Sequence, residues 1–412
     1  MSPTYDVVIV GAGHGGVNLA TLLVKENYPG SIALLSDESV IPYERPPLSK
    51  GYLTGEQSFE DIVFRPAEYW EKSPVELRLN TRVTEVRPDR QVVVTADGAT
   101  ITYRRLVWAA GGRARRLPVD GAELLGVHSI RRLGDLATLK EELAAAKRAV
   151  IIGGGYIGLE TAAAFRAQGI DVTVVEVQDR LLARVTSPEV SQFFLERHRA
   201  AGVTVRLGVG VQGLRGEGGR VRAVVLANGE ELPADLVVVG IGLVPNTEVL
   251  AAAGATVSNG IEVDEYCRTS LPNVSALGDC ANHVNEFAGG ARVRLESVQN
   301  ATDQARTVAL DLLGAPAPYR ATPWFWSNQY DIKLKTAGIV AGYDHAVVRG
   351  EPAQGRFSVV YLADSRVVAL DSVNTPADFM VGRKLVQQRR KVDPEMVADP
   401  RRPLKQLLAA EG

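Results

Sequence analysis

The sequence predicts an α/β protein with two Rossmann-like dinucleotide-binding domains and a C-terminal α+β domain. Three observations predict it. A strand, a glycine-rich turn and a helix-like stretch occur at Val7-Val8-Ile9-Val10-Gly11-Ala12-Gly13-His14-Gly15-Gly16 and recur at Ala149-Val150-Ile151-Ile152-Gly153-Gly154-Gly155-Tyr156-Ile157-Gly158. After each copy a second apolar run leads to a carboxylate, Asp37 in the first and Glu176 in the second. From Trp324 onward the pattern changes to alternating β-type runs and a charged helical tail.

Taken in order, residues 5–10 form an apolar strand, 17–26 carry apolar residues at helical spacing, and 31–36 form a second strand. The second copy repeats this with a helix at 159–168 and a strand at 171–175. Both units read as βαβ with parallel strands buried on both faces. Asp97-Gly98 and Asn228-Gly229 mark hairpins downstream of each copy, and apolar strands at 106–112 and 236–242 run into glycine. A further strand at 274–277 ends at Gly278-Asp279, and a helix follows at 297–313. Strands at 355–362 and 366–372 belong to the last domain. The expected domains are 1–112 with 246–323, 113–245, and 324–412.

The 412 residues suffice for two or three domains at about 150 residues each. With 46% hydrophobic and 23% charged residues the composition is that of a globular protein. A net charge of −2 argues against a nucleic-acid-binding surface over the whole molecule. No apolar run approaches the ~18–20 residues of a membrane helix, so no membrane insertion is expected. A strand starting near residue 5 leaves no room for a signal or transit peptide. Two cysteines cannot build a disulfide framework and fit the cytoplasm. Oligomeric state is not legible.

Gly11, Gly13 and Gly16 form a G-x-G-x-x-G between a strand and a helix. Glycine there permits the tight turn, the backbone's approach to a pyrophosphate, and close helix–strand packing. The helix N-terminus offers its N–H groups to the anion. Asp37 suits a ribose hydroxyl pair. Gly153, Gly155 and Gly158 repeat the loop, and Glu176 there accepts from both adenosine-ribose hydroxyls and repels a 2′-phosphate. That favours NADH over NADPH, although Arg180 and Arg184 lie near enough in sequence to serve a phosphate instead.

A family resemblance enters through Pro42-Tyr43-Glu44-Arg45-Pro46-Pro47-Leu48-Ser49-Lys50-Gly51-Tyr52-Leu53. With Gly240-Ile241-Gly242-Leu243-Val244-Pro245-Asn246, Leu277-Gly278-Asp279-Cys280-Ala281, Glu296-Ser297-Val298-Gln299-Asn300-Ala301 and Pro323-Trp324-Phe325-Trp326-Ser327-Asn328-Gln329-Tyr330, it resembles the FAD-dependent ferredoxin reductases that serve oxygenases and cytochromes P450. The chain departs from that pattern at Ala109-Ala110-Gly111-Gly112-Arg113-Ala114-Arg115 and at Asn328. The resemblance implies a glutathione-reductase-like architecture, FAD on the first glycine loop, and NADH on the second.

It also implies individual roles. Asp37 would bind the FAD ribose, Arg45 and Lys50 would flank the flavin, and Val83 would meet the adenine through its backbone. Ala110 would contact FAD, Arg115 and Arg131 would steady it, and Gly278-Asp279 would reach the ribityl chain. Val298, at a helix start, would bring a positive dipole end to the flavin pyrimidine edge. Trp326 would pack beside the isoalloxazine, the alternative for it and Trp324 being core aromatics. Glu160, otherwise a helix-dipole partner, would pair with Lys50 where the nicotinamide arrives, both acting as catalytic residues.

The resemblance points to an acidic, transiently bound [2Fe–2S] ferredoxin supplying a cytochrome P450 or ring-hydroxylating oxygenase. Cys267 and Cys280, with twelve residues between them and outside the Lys50 segment, form no Cys-x-x-x-x-Cys, so electrons are expected to leave singly. His14, His128, His198, His283 and His345 lack metal-ligand spacing, and no metal is expected. Residues 376–412 hold eight Lys/Arg against five Asp/Glu, either a docking patch or a solvated charged helix. Alternatives are a reductase for rubredoxin or another small acceptor, and an NADH-sensing flavoprotein similar to apoptosis-inducing factor.

Overall fold

The structure, a computed structural model, describes residues 3–409. By contact the chain divides into one unit of Met1–Arg45, Phe59–Arg113 and Val244–Pro323, and a second of Pro46–Ser58, Ala114–Leu243 and Trp324–Gly412.

In the first unit the strand Thr4–Val10 pairs in parallel with Ile32–Leu35 and with Thr100–Trp108, inside a seven-stranded sheet. Its side chains alternate between two cores, as strand geometry requires. Val7 and Ile9 pack with Leu19 and Leu23 of the helix His14–Lys25 and with Ala305 and Val308 of the helix Val298–Leu312. Val8 and Val10 enter a second core with Val93, Ile101 and Val263. The sheet is thus apolar on both faces.

In the second unit the central sheet is all parallel, in the order Thr204–Leu207, Asp171–Glu176, Arg148–Ile152, Leu236–Val239, Val127–His128. An antiparallel three-stranded sheet accompanies it. Residues from Trp324 build a five-stranded antiparallel sheet covered by the helix Pro376–Gln387, which buries Phe379, Leu385 and Val386. Two of its strands, Arg356–Ala363 and Arg366–Val373, meet at Asp364 and Ser365, whose φ of +50° and +61° are those a tight primed turn needs.

Both helices after the glycine loops begin earlier than apolar spacing indicates, at His14 rather than Val17 and at Tyr156 rather than Leu159. The first of these turns, His14-Gly15-Gly16, has no apolar side chain, and in the second Ile157 is exposed, so neither shows the apolar spacing of a buried face. The glycines are dictated sterically. Gly11 has φ +107° and Gly153 +113°, and a Cβ on either would lie 2.4 Å from a carbonyl oxygen of the neighbouring strand connection, at Ala109 and Gly240 respectively. A Cβ on Gly16 would stand 1.9 Å from the Gly11 oxygen, and on Gly158 2.0 Å from the Gly153 oxygen.

One buried acid sits in the second unit apart from these loops. Asp371 is wholly buried; its Oδ2 accepts from Thr186 Oγ1 and, at 2.6 Å, from the Tyr361 hydroxyl, while Oδ1 has no partner. Burial pushes this carboxyl up to about 6. Because the folded state binds this proton more tightly than the unfolded chain, the contribution to stability is complete below about pH 4 and is lost as pH rises through 6. Asp371→Asn should therefore flatten the fall in thermal midpoint between about pH 4 and pH 6.5. An unchanged pH profile in the variant would contradict this.

Among the described residues no helix is long and apolar enough to cross a membrane. Cys267 and Cys280 are free, buried thiols; burial raises both, Cys280 to about 12.

Candidate functional site

The first loop opens on an uncapped helix. Gly13 is the N-cap of His14–Lys25, no side chain caps it, and a Cβ placed there would meet only Arg45 Nε, at 3.9 Å. A helix start whose backbone donors face such a glycine has the chemistry of an anion site. Arg45 is aimed at this loop by Glu38, whose Oε1 accepts from its Nη2 at 2.8 Å while Oε2 accepts from the Tyr43 hydroxyl at 2.6 Å. Arg45 also feels the charge of Asp279. Asp279 lies in the short helical turn Gly278–Cys280, where the Gly278 N–H donates to Gln304 Oε1 at 2.7 Å. Gly15 completes the cluster, since a Cβ on it would lie 2.2 Å from the Leu277 side chain and 3.6 Å from the Ala301 oxygen.

The structure thus gathers Gly11, Gly13, Gly16, Arg45, Gly278 and Asp279 in one unit. Val298 opens the helix Val298–Leu312 there, and Ser297 caps it by accepting from the Asn300 N–H at 3.0 Å. Ala110 offers its carbonyl to Asn246 Nδ2 at 2.9 Å, and Val83 is buried in the strand Val83–Arg87. Asp37 is exposed and stands beyond the end of its strand at Leu35, whereas Glu176 is the last residue of its own. Glu38 and Gly15 escaped the sequence reading. The signal for Glu38 was present, an acid beside Asp37 and a short loop away from an arginine.

The second loop repeats the design. Gly155 caps Tyr156–Ala167 without a side-chain bond, and a Cβ there would meet nothing within 4 Å. Glu176 Oε2 accepts from the Gly154 N–H at 2.6 Å and Oε1 from the Gln178 N–H at 2.8 Å, which fixes the carboxylate beside the loop. Arg180 is committed elsewhere, donating to the Thr186 and Ala183 oxygens and to Ser191 Oγ at 2.7–2.9 Å. Arg184 is exposed. Arg115 is exposed too, its N–H bonded to the Gly242 oxygen, and Arg131 precedes the helix Leu133–Leu143, its N–H donating to Asp135.

Lys50 and Glu160 meet inside this second unit, which includes the segment Pro46–Ser58. Lys50 Nζ lies 2.6 Å from Glu160 Oε2, with the carboxylate side chain 1% exposed and the ammonium side chain 21%. Ser49 Oγ donates to the same oxygen at 2.7 Å, and Ser327 Oγ donates to Oε1 at 2.7 Å. A buried carboxylate is tolerable only with such pairing. The alignment follows from two periodicities. Tyr156 and Glu160 share one face of a helix about 6 Å apart along its axis. Phe325 and Ser327 share one face of the strand Trp324–Gln329, about 6–7 Å apart. The two spacings match, so Phe325 packs on Tyr156 with ring centres 4.5 Å apart while Ser327 reaches Glu160.

Trp324 and Trp326 take the other face of that strand, their rings 5.6 Å apart, with Arg383 over Trp324. In the C-terminal tail Arg401 and Arg402 both pair with Asp399, which spends part of the basic character read there. Among the described residues no group of three or more His, Cys, Asp or Glu is placed to hold a metal ion.

Comparison with known proteins gives consistent matches. Residues 5–305 match the family described as pyridine nucleotide-disulphide oxidoreductase, and 324–408 match a reductase C-terminal family. The chain is 50% identical over 411 residues to the 5,5'-dehydrodivanillate O-demethylase ferredoxin reductase subunit of a Sphingobium species, covering 100% of both chains. It superposes with a TM-score of 0.95 on the ferredoxin reductase for the CYP199A2 system from Rhodopseudomonas palustris, 43% identical, covering 98% of this chain and 100% of that one. The covalent putidaredoxin reductase–putidaredoxin complex matches equally, with a TM-score of 0.95 at 42% identity, covering 99% and 98%.

Proposed function

The chain belongs to the pyridine nucleotide-disulphide oxidoreductase family, among its ferredoxin reductases, and we propose that it is an FAD-dependent enzyme carrying electrons from NADH to a small [2Fe–2S] ferredoxin. That ferredoxin supplies a cytochrome P450 or a ring-hydroxylating oxygenase. The observation that carries the reading is the pair of uncapped helix starts, one in each unit, each behind its own glycine cradle. FAD takes residues 1–112 with 246–323, NADH takes 113–245, and 324–412 forms the third domain.

The bound flavin supplies the change from a two-electron donor to a one-electron acceptor. The chain's residues do the rest. Gly13 and the helix behind it receive the FAD pyrophosphate, with Arg45 held ready by Glu38; Asp37, Val83, Ala110, Arg115, Arg131, Gly278, Asp279, Val298 and Trp326 complete the FAD contacts. Gly153, Gly155 and Gly158 receive the NADH pyrophosphate. Lys50, fixed by Glu160, presents a positive charge where the nicotinamide is placed. Both cysteines are buried and neither is a neighbour of Lys50 in sequence, which supports direct single-electron exit and a reducing cytoplasm.

An anaerobic NADH titration should bleach the flavin, and cytochrome c reduction should require an added [2Fe–2S] ferredoxin. Turnover with rubredoxin or a quinone alone would reverse the choice of acceptor. The preference for NADH is testable at one residue. Glu176 is preset to accept the ribose hydroxyls and Arg180 is occupied, so Glu176→Ser should shift the kcat/KM ratio toward NADPH by about ten- to a hundredfold. A ratio unmoved by that change would remove Glu176 from the site.

A further inference from the structure

Behind Glu160 runs a buried chain of hydrogen bonds that the reaction as described does not use. Ser327 Oγ donates to Glu160 Oε1, and Gln329 Nε2 donates to Ser327 Oγ at 3.1 Å. Gln329 Oε1 lies 2.8 Å from His198 Nε2, and His198 Nδ1 lies 3.0 Å from the Tyr330 hydroxyl. Ser327, Gln329 and His198 are at most 1% exposed. The ends of the chain set its direction. An ionised carboxylate can only accept, so Ser327 donates, Gln329 donates in turn, and His198 must carry its proton on Nε2. Nδ1 then accepts from Tyr330. Every donor points toward Glu160.

Burial pushes the His198 imidazole down to about 4, so it stays neutral and keeps one tautomer through the physiological range. The amide of Gln329 interrupts any proton relay, because it holds its hydrogens on nitrogen and its acceptor on oxygen. What such a chain does is orient: aligned donors polarise one another and fix the acceptor at their end. We infer that His198 is a positioning residue for the Lys50–Glu160 pair, acting through Gln329 and Ser327. It touches neither reactant; it sets the carboxylate that sets the ammonium. This inference rests on the reading of that pair as the place where NADH meets the flavin.

The test uses the flavin-loaded full chain and reads Lys50 directly, as its rate of acetylation by acetic anhydride relative to the exposed Lys72 and Lys391, resolved by peptide mass spectrometry. His198→Phe and Ser327→Ala should each speed Lys50 acetylation about three- to tenfold, the effect of losing one ordinary hydrogen bond. His198→Gln, whose side-chain N–H can stand at the Nε2 position, should restore the slow rate, and the shorter His198→Asn should not. Ser327→Ala deletes a single hydroxyl and serves if His198→Phe fails to fold. A Lys50 rate unchanged in Ser327→Ala, or equal protection by Gln and Asn at 198, would overturn the inference. Failure of the NADH reading would show separately, as a flavin in the unaltered protein that NADH does not bleach.

Discussion

Lys50→Met should be among the most damaging single substitutions in this chain, and more damaging than Glu160→Leu. The two partners are not equivalent. Glu160 is 1% exposed and cannot reach water, so removing its ammonium leaves a buried charge with only the hydroxyls of Ser49 and Ser327. Stranding one member of a buried pair costs about 3–5 kcal/mol. Lys50 is 21% exposed and can turn to solvent when Glu160 is replaced, which leaves a smaller loss, about 1–2 kcal/mol for the orphaned hydroxyls. The double substitution should recover most of the stability, because no charge is left unmatched. It should not recover activity. All three variants should reduce flavin with NADH roughly a hundredfold more slowly, the usual scale for losing a fixed charge at a reacting centre. Urea midpoints and stopped-flow bleaching measure the two effects independently. A Lys50→Met protein as stable as the original would show that the ion pair is not buried in solution.

The glycines supply the second large effect and separate the two nucleotide sites. Gly16→Ala drives a methyl to within 1.9 Å of the Gly11 oxygen, a backbone atom that can move only if the loop opens. We expect a protein that is purified largely without flavin, with overpacking costing about 1–3 kcal/mol. Gly158→Ala makes the same clash at 2.0 Å with the Gly153 oxygen. It should keep its flavin and raise the KM for NADH at least tenfold. Gly155→Ala is the control for the ligand itself. With nothing within 4 Å of the added methyl, folding should be unaffected, and any loss of NADH binding reports a pyrophosphate that needs the space. Full flavin occupancy in Gly16→Ala would undo the assignment of the first loop.

Local chemistry made much of this protein legible. G-x-G-x-x-G between a strand and a helix leaves few alternatives, because the positive φ of Gly11 and Gly153 and the clashes at Gly16 and Gly158 belong to the turn itself. Alternation of side chains announced two of the five strands of the last domain, Arg356–Ala363 and Arg366–Val373, and the apolar run before Glu176 placed that carboxylate at a strand end. Helix starts were misplaced for an equally local reason: His14-Gly15-Gly16 carries no apolar side chain and Ile157 faces solvent, so neither first turn joins the apolar stripe.

The sequence alone determined two dinucleotide loops, their acids, the motif around Lys50 and the lack of a dithiol, since each is written in adjacent or evenly spaced residues. Only the tertiary structure decided which groups surround them. It placed Pro46–Ser58 in the second unit with Glu160, 110 residues from Lys50 in sequence, and so made the pair that residue spacing could not show and only the family resemblance implied. It brought Ser327, Gln329 and His198 behind that carboxylate and gave Arg45 to Glu38. Periodicity reports which face of an element is apolar, but not which other face it meets. A buried charge is matched across that meeting, and so its partners appear only when the chain has folded.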